Sequence, residues 1–154
     1  MIDTTRRTLL KGSLAIGPVG AAVALAPGLL LAGWNQAAFE SQDLGSALKN
    51  LLGSSAPETN DAVRIKAPDL AENGAVVPVT VETSLPNVTA IAIVAVGNER
   101  PLVASFVLGP AALPYVSTRV KMAKTADLIA VVQQGERSFS NTKNVKVTIG
   151  GCGG

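Results

Sequence analysis

The sequence predicts a mainly β fold, an antiparallel β-sandwich preceded by one amphipathic helix and a signal peptide. After residue 57, short stretches alternate apolar with polar residues and are punctuated by turn residues about every 8–12 positions, the spacing of a sandwich. Apolar residues make up 47% of the 154 but aromatics only 3%, so the core has to be built from Val, Ile, Leu and Ala. The amino terminus stands apart, with a charged head followed by a long apolar run.

That head reads Thr4-Thr5-Arg6-Arg7-Thr8-Leu9-Leu10-Lys11, and the apolar run spans residues 12–32. Paired Arg6 and Arg7 before Leu9-Leu10-Lys11 resemble the twin-arginine export signal, whose machinery moves proteins already folded. The run is long enough to span a bilayer. Pro18, Pro27 and several glycines weaken it as a permanent anchor, and no lipid-anchoring cysteine follows it. The expectation is a cleaved leader over residues 1–32 and a periplasmic protein without a membrane anchor. Ala24-Leu25-Ala26 has small-x-small spacing but precedes Pro27, so cleavage after Ala32, or near Ala37-Ala38, is favoured.

Residues 33–56 form the next segment, a helix and a linker. Ala37, Leu44, Ala47, Leu48, Leu51 and Leu52 recur at helical spacing, with Asn35 placed to cap the helix and Gly53 to end it. Gly45 in its middle costs about 1 kcal/mol relative to Ala, so the helix needs a surface to dock on. Ser54-Ser55-Ala56-Pro57 reads as the linker.

Residues 57–149 carry the β pattern. Val63 and Ile65 open a short strand that stops before Pro68. Asn73-Gly74 signals a turn, after which Val77, Val79 and Val81 alternate with polar or small neighbours. Pro78 cannot donate to a ladder and places this strand at an edge or a bulge. Residues 90–96 are apolar at every position, so both faces are covered, by the helix or by another subunit. Further strands follow over 102–108, 116–122 and 128–132, and a last one carries Val145, Val147 and Ile149. About seven strands in this order suggest an immunoglobulin-like sandwich.

Composition excludes several functions. The net charge of +2 rests on the leader: without residues 1–32, which hold three bases and one acid, 10 basic and 10 acidic residues remain. A neutral domain lacks the basic footprint of a nucleic-acid binder. There is no histidine, the commonest general base and metal ligand, and one cysteine cannot form an internal disulfide or a multi-thiolate site. No phosphate-binding glycine loop is present. Tyr115, Lys121 and Asp127 could be arranged into an enzyme site on paper, but ordinary surface roles account for them better.

The candidate site is the carboxyl-terminal arm, Gly150-Gly151-Cys152-Gly153-Gly154. Glycine is the residue least able to hold one backbone conformation. Its placement on both sides of the sole thiol makes a slim arm on a rigid strand. Five residues reach at most about 16–18 Å, enough to enter a partner's channel. The thiolate is the nucleophile, and nothing in the arm lowers the ordinary thiol pKa, so activation falls to a docked partner. The reading is a non-enzymatic carrier whose Cys152 holds a small substrate covalently. Two other readings are a structural partner-binding sandwich and a ubiquitin-like Gly-Gly sulfur carrier. The second needs ATP and a terminal carboxylate, which an exported protein does not encounter together.

The segment Val145-Lys146-Val147-Thr148-Ile149-Gly150-Gly151-Cys152-Gly153-Gly154, together with the twin-arginine leader, resembles the SoxY family, the sulfur-carrier subunits of the thiosulfate-oxidising multienzyme system. The resemblance covers essentially the whole chain, and the arm shows no departure from the family pattern. It implies that Cys152 is the carrier thiol. It implies a haem enzyme that couples thiosulfate to it, a hydrolase that releases sulfate, and a sulfane dehydrogenase where one is present. It also implies a heterodimer with a SoxZ-like subunit lacking its own leader, which fits folded-state export. No resident cofactor is implied, only covalent sulfur adducts on Cys152.

Overall fold

The structure, a computed structural model, describes residues 35–53 and 56–148. The described residues all belong to one compact unit within Asn35–Gly154. The expected leader with Arg6 and Arg7, the Ser54-Ser55 part of the linker, Ile149 and the arm with Gly150, Gly151, Cys152, Gly153 and Gly154 lie outside the described residues.

Where one helix was expected there are two, α1 (Gln36–Glu40) and α2 (Leu44–Leu52). The break comes from capping chemistry. Asp43 takes an extended backbone, and its carboxylate accepts from the Ser46 N–H at 2.8 Å, starting a second helix. Gly45 therefore sits in a first turn, not in mid-helix. The expected ends hold: Asn35 accepts from the Ala38 N–H at 3.1 Å, and Gly53 closes α2 at φ +68° with its N–H on the Lys49 carbonyl. The Asn35 amide also donates to the Asn50 carbonyl at 2.7 Å, tying the two helices together. With the break the buried position moves to Ala38, and Ala37 is exposed.

The strands are β1 (Glu58–Thr59), β2 (Val63–Lys66), β3 (Leu70–Ala71), β4 (Val77–Thr83), β5 (Ala90–Ala95), β6 (Leu102–Val107), β7 (Tyr115–Val120), β8 (Ala126–Gln134) and β9 (Arg137–Val147). One sheet has the order β1-β9-β8-β5-β6, with β3 also paired to β9; the other has the order β2-β4-β7. Three strands facing four in this crossover order is the immunoglobulin-like arrangement. The seven longer strands are the expected ones. The sheet is mixed, however, not purely antiparallel, because the two-residue strands β1 and β3 run parallel to β9. Two-residue strands leave no periodicity to read.

Valines fill the core as the composition requires. Val63, Val77, Val79, Val81, Val116 and Val120 of the three-stranded sheet meet Ile91, Ile93, Leu128, Ala130, Val132, Phe139 and Val145 of the other. The opposite faces of β5 and β8, with Ala92, Val94 and Val131, are covered by Ala38, Ala47 and Leu48 of the helices. That is why residues 90–95 are apolar throughout: one face makes the sandwich core and the other is the helices' docking surface.

Pro78 lies in the middle strand of its sheet, yet its missing donor costs nothing. The Thr83 N–H donates to the Pro114 carbonyl, so odd-numbered residues of β4 turn toward β7 and Pro78 turns its nitrogen the other way. On that side β2 has already ended, at Lys66 opposite Thr80. The strand is an edge locally.

Candidate functional site: the base of the carboxyl-terminal arm

β9 carries the site, and its length is set by a hairpin. Gly135 and Glu136 form the two-residue loop from β8, with positive φ (+61°) at the first position only, the pattern of a type II′ turn. From there nine register pairs, Gln134↔Arg137 through Ala126↔Val145, hold β9 against β8. Phe139 and Val145 anchor it in the core. The half from Arg137 to Lys143 was not visible in the sequence: it is mostly polar, and its one large apolar side chain, Phe139, gives no alternation to count.

The other edge of β9 is covered in two places. Near its start the Arg137 guanidinium meets the Glu58 carboxylate of β1 at 3.0 Å and lies over the Phe139 ring. Further along, Lys143 meets Asp69 at 2.7 Å, just before β3. The hydrogen bond from that ammonium, and its charge, hold the Asp69 carboxyl below the usual carboxylate range.

The end of β9 is clamped from both sides. On one side the Lys146 N–H donates to the Asp69 carbonyl and the Thr148 N–H to the Ala71 carbonyl, each at 3.0 Å. The Thr148 hydroxyl adds bonds to the carbonyls of Ala71 (3.3 Å) and Glu72 (3.2 Å). On the other side the Val147 N–H donates to the Thr125 hydroxyl at 2.9 Å, and that hydroxyl is placed to return a bond to the Val147 carbonyl. Gly74 packs beneath, where a Cβ would strike the Met122 carbonyl oxygen and come 2.7 Å from Val147 Cγ1. The expected Asn73-Gly74 turn is present, with the Asn73 side chain accepting from the Ala75 N–H. Thr125, Ala71 and Thr148 had no signal in the sequence, because their roles depend on chain segments far apart in order.

Cys152 follows Thr148 by four residues and lies outside the described ones, as do the arm glycines. The three residues considered as a possible enzyme site are not brought together. Tyr115 opens β7 and Lys121 follows its last residue, about 20 Å apart at strand rise. The Asp127 carboxylate accepts from the Asn144 side chain at 2.7 Å. Among the described residues there is no cluster of potential metal ligands and no helix long and apolar enough to cross a membrane.

A family model described as sulfur oxidation protein SoxY matches residues 48–152, from the second turn of α2 through the cysteine. The chain belongs to the SoxY family. Among solved structures, SoxY from Chlorobium limicola f thiosulfatophilum, described as a sulfur carrier protein, is 47% identical, with a TM-score of 0.63. That likeness covers 70% of this chain and 97% of the Chlorobium SoxY chain. No curated protein matches. Membership in SoxY puts the chain in sulfur oxidation.

Proposed function

We propose that this SoxY-family chain is a non-enzymatic carrier that holds thiosulfate-derived sulfur covalently on Cys152 and presents it to partner enzymes. The observation that carries the reading is the double clamp on β9. Thr148 is held on one side and Val147 on the other, and only Ile149 separates them from the Gly-Gly-Cys-Gly-Gly arm. A rigid base followed by residues without side chains lets a thiol extend at most about 14 Å from Thr148 into a narrow channel. Ordering such an arm costs about 1–2 kcal/mol per residue, so each docking is transient and the cargo can pass between enzymes.

The chemistry needs nothing from this chain but sulfur. The Cys152 thiol joins the sulfane sulfur of thiosulfate to form Cys–S–S–SO3−, and a haem partner takes the two electrons while a proton is released. Water then attacks the terminal sulfur in a hydrolase, releasing sulfate and leaving a persulfide on Cys152. A sulfane dehydrogenase, where present, oxidises that sulfur before a second hydrolysis restores the thiol. A thiol at an ordinary pKa is only a few per cent ionised at neutral pH, so the docked enzyme supplies the activation. The twin-arginine pair Arg6-Arg7 places this work in the periplasm, with residues 1–32 removed and a SoxZ-like subunit carried along as a heterodimer.

Intact-mass spectrometry of the protein from cells oxidising thiosulfate tests the reading. A reductant-sensitive gain of mass that maps to Cys152 and vanishes in Cys152→Ser is expected. An unmodified thiol during active sulfur oxidation, or nothing beyond a simple disulfide dimer, would replace the carrier with a structural partner-binding module.

A further inference from the structure

The turn that enters β4 holds a reactive pair that the carrier reading does not use. Asn73 is the one asparagine in the chain that precedes a glycine. It is exposed, and its main-chain carbonyl accepts from the Val76 N–H at 3.3 Å across the turn. Its side-chain oxygen accepts from the Ala75 N–H at 2.9 Å. The Asn73 amide nitrogen and the Gly74 N–H make no hydrogen bond among the described residues. A carboxamide carbon polarised by a main-chain donor thus lies beside an unpaired nitrogen with no Cβ to crowd it.

The other asparagines lack this combination. The amide nitrogens of Asn35, Asn50, Asn98, Asn141 and Asn144 all donate to protein oxygens. Asn60 and Asn87 precede Asp61 and Val88, whose side chains crowd the nitrogen that would have to attack.

We infer that Asn73 is a site of spontaneous deamidation, and that its isoaspartyl product loosens the clamp on the end of β9. The Gly74 nitrogen, deprotonated by solvent hydroxide, attacks Asn73 Cγ. A new C–N bond closes a succinimide ring, and the amide nitrogen leaves as ammonia with a proton from water. Water then opens the ring. Attack at Cγ restores the main chain and leaves aspartate. Attack at the main-chain carbonyl leaves isoaspartate, with the chain rerouted through Cβ and Cγ. Nothing is oxidised or reduced. Aspartate keeps an oxygen for the Ala75 N–H, so the turn survives it. Isoaspartate lengthens the main chain beside Gly74, where one added Cβ would already strike the Met122 carbonyl oxygen and crowd Val147 Cγ1. Gly74 must then shift, and its carbonyl holds the Met122 N–H at 2.7 Å. On the other side of Asn73, the Glu72 carbonyl holds the Thr148 hydroxyl at 3.2 Å. The inference does not depend on the sulfur chemistry of Cys152.

Ageing the full chain in mildly alkaline buffer, with Cys152→Ser to prevent disulfide formation, tests this. Ammonia should be released, and the mass gain of an amide-to-acid exchange should map to the peptide holding Asn73. An isoaspartyl methyltransferase should label the same peptide. In the isoaspartyl fraction the Val147 and Thr148 amides should exchange about two- to tenfold faster, the worth of one lost hydrogen bond. Amides in the middle of β8 should keep their protection. Asn73→Ser keeps an oxygen for the Ala75 N–H but has no amide to lose, and should age without change. Freshly made Asn73→Asp should exchange like the parent, which separates the added charge from the lengthened chain. Ammonia lost chiefly from another asparagine, or an Asn73 amide that persists in the folded chain while the urea-unfolded chain loses it, would overturn the inference. So would aspartate without isoaspartate, or an isoaspartyl fraction whose Val147 and Thr148 exchange is unchanged.

Discussion

The main-chain N–H of Thr148 donates to the carbonyl of Ala71 at 3.0 Å, and with that bond strand β9 is held until one residue before the glycine arm. The bond joins residues far apart in sequence. It ties the last described residue to the segment just before β4.

The opposite side of the clamp is a single hydroxyl. Thr125→Val keeps the side-chain shape but removes the acceptor of the Val147 N–H. The expected loss of stability is about 0.5–1.5 kcal/mol, the ordinary net value of one hydrogen bond. Amide hydrogen exchange checks it. The Val147 amide should exchange faster in the variant, while amides in the middle of β8 keep their protection.

Gly74→Ala tests the packing beneath the clamp. Its Cβ would meet the Met122 carbonyl, a main-chain atom that cannot swing aside, as well as Val147. Overpacking of this kind costs about 1–3 kcal/mol. The urea midpoint should fall by a corresponding amount, whereas Gly109→Ala, where nothing lies nearby, should leave it close to the parent's.

Leu48→Ala addresses the second core. Leu48 is buried between α2 and the sheet with Ala92 and Val94. Truncation should cost about 2–5 kcal/mol, toward the lower end if the short helix shifts to fill the gap. Thermal unfolding followed by circular dichroism reads it out. A loss below about 0.5 kcal/mol would mean that the helices contribute little to the fold.

The pH dependence is confined to the acid side. Asp69 is held below its ordinary pKa by Lys143, and Asp43 by the Ser46 N–H that it caps. For a carboxyl with a depressed folded pKa, the stabilisation is complete above the unfolded value and disappears as pH falls through the folded one. Both unfolded values are near 3.8. The chain has no histidine to titrate near neutrality. The melting temperature should therefore be flat between about pH 5 and 8 and fall below about pH 4. In Lys143→Met the fall should be shallower, because Asp69 then titrates alike in both states.

The amino-acid sequence by itself determined which segments become strands wherever a face or both faces are buried, because burial leaves an apolar period. Val77, Val79 and Val81 show it at period two, and residues 90–95 as an unbroken run. It also carried the family resemblance, on a sole cysteine set among four glycines, and the SoxY family model matches through that cysteine. Tertiary structure decided what has no local signal. Asp43 divides the expected single helix because its carboxylate can cap a new one once the chain has turned. β1 and β3 exist only because β9 offers them an edge, and Pro78 is harmless only because β2 ends early. The clamp at Thr148, Ala71 and Thr125 joins three separate segments. Hydrogen bonds between distant residues leave no period in the chain, and only the folded backbone brings their donors and acceptors within reach.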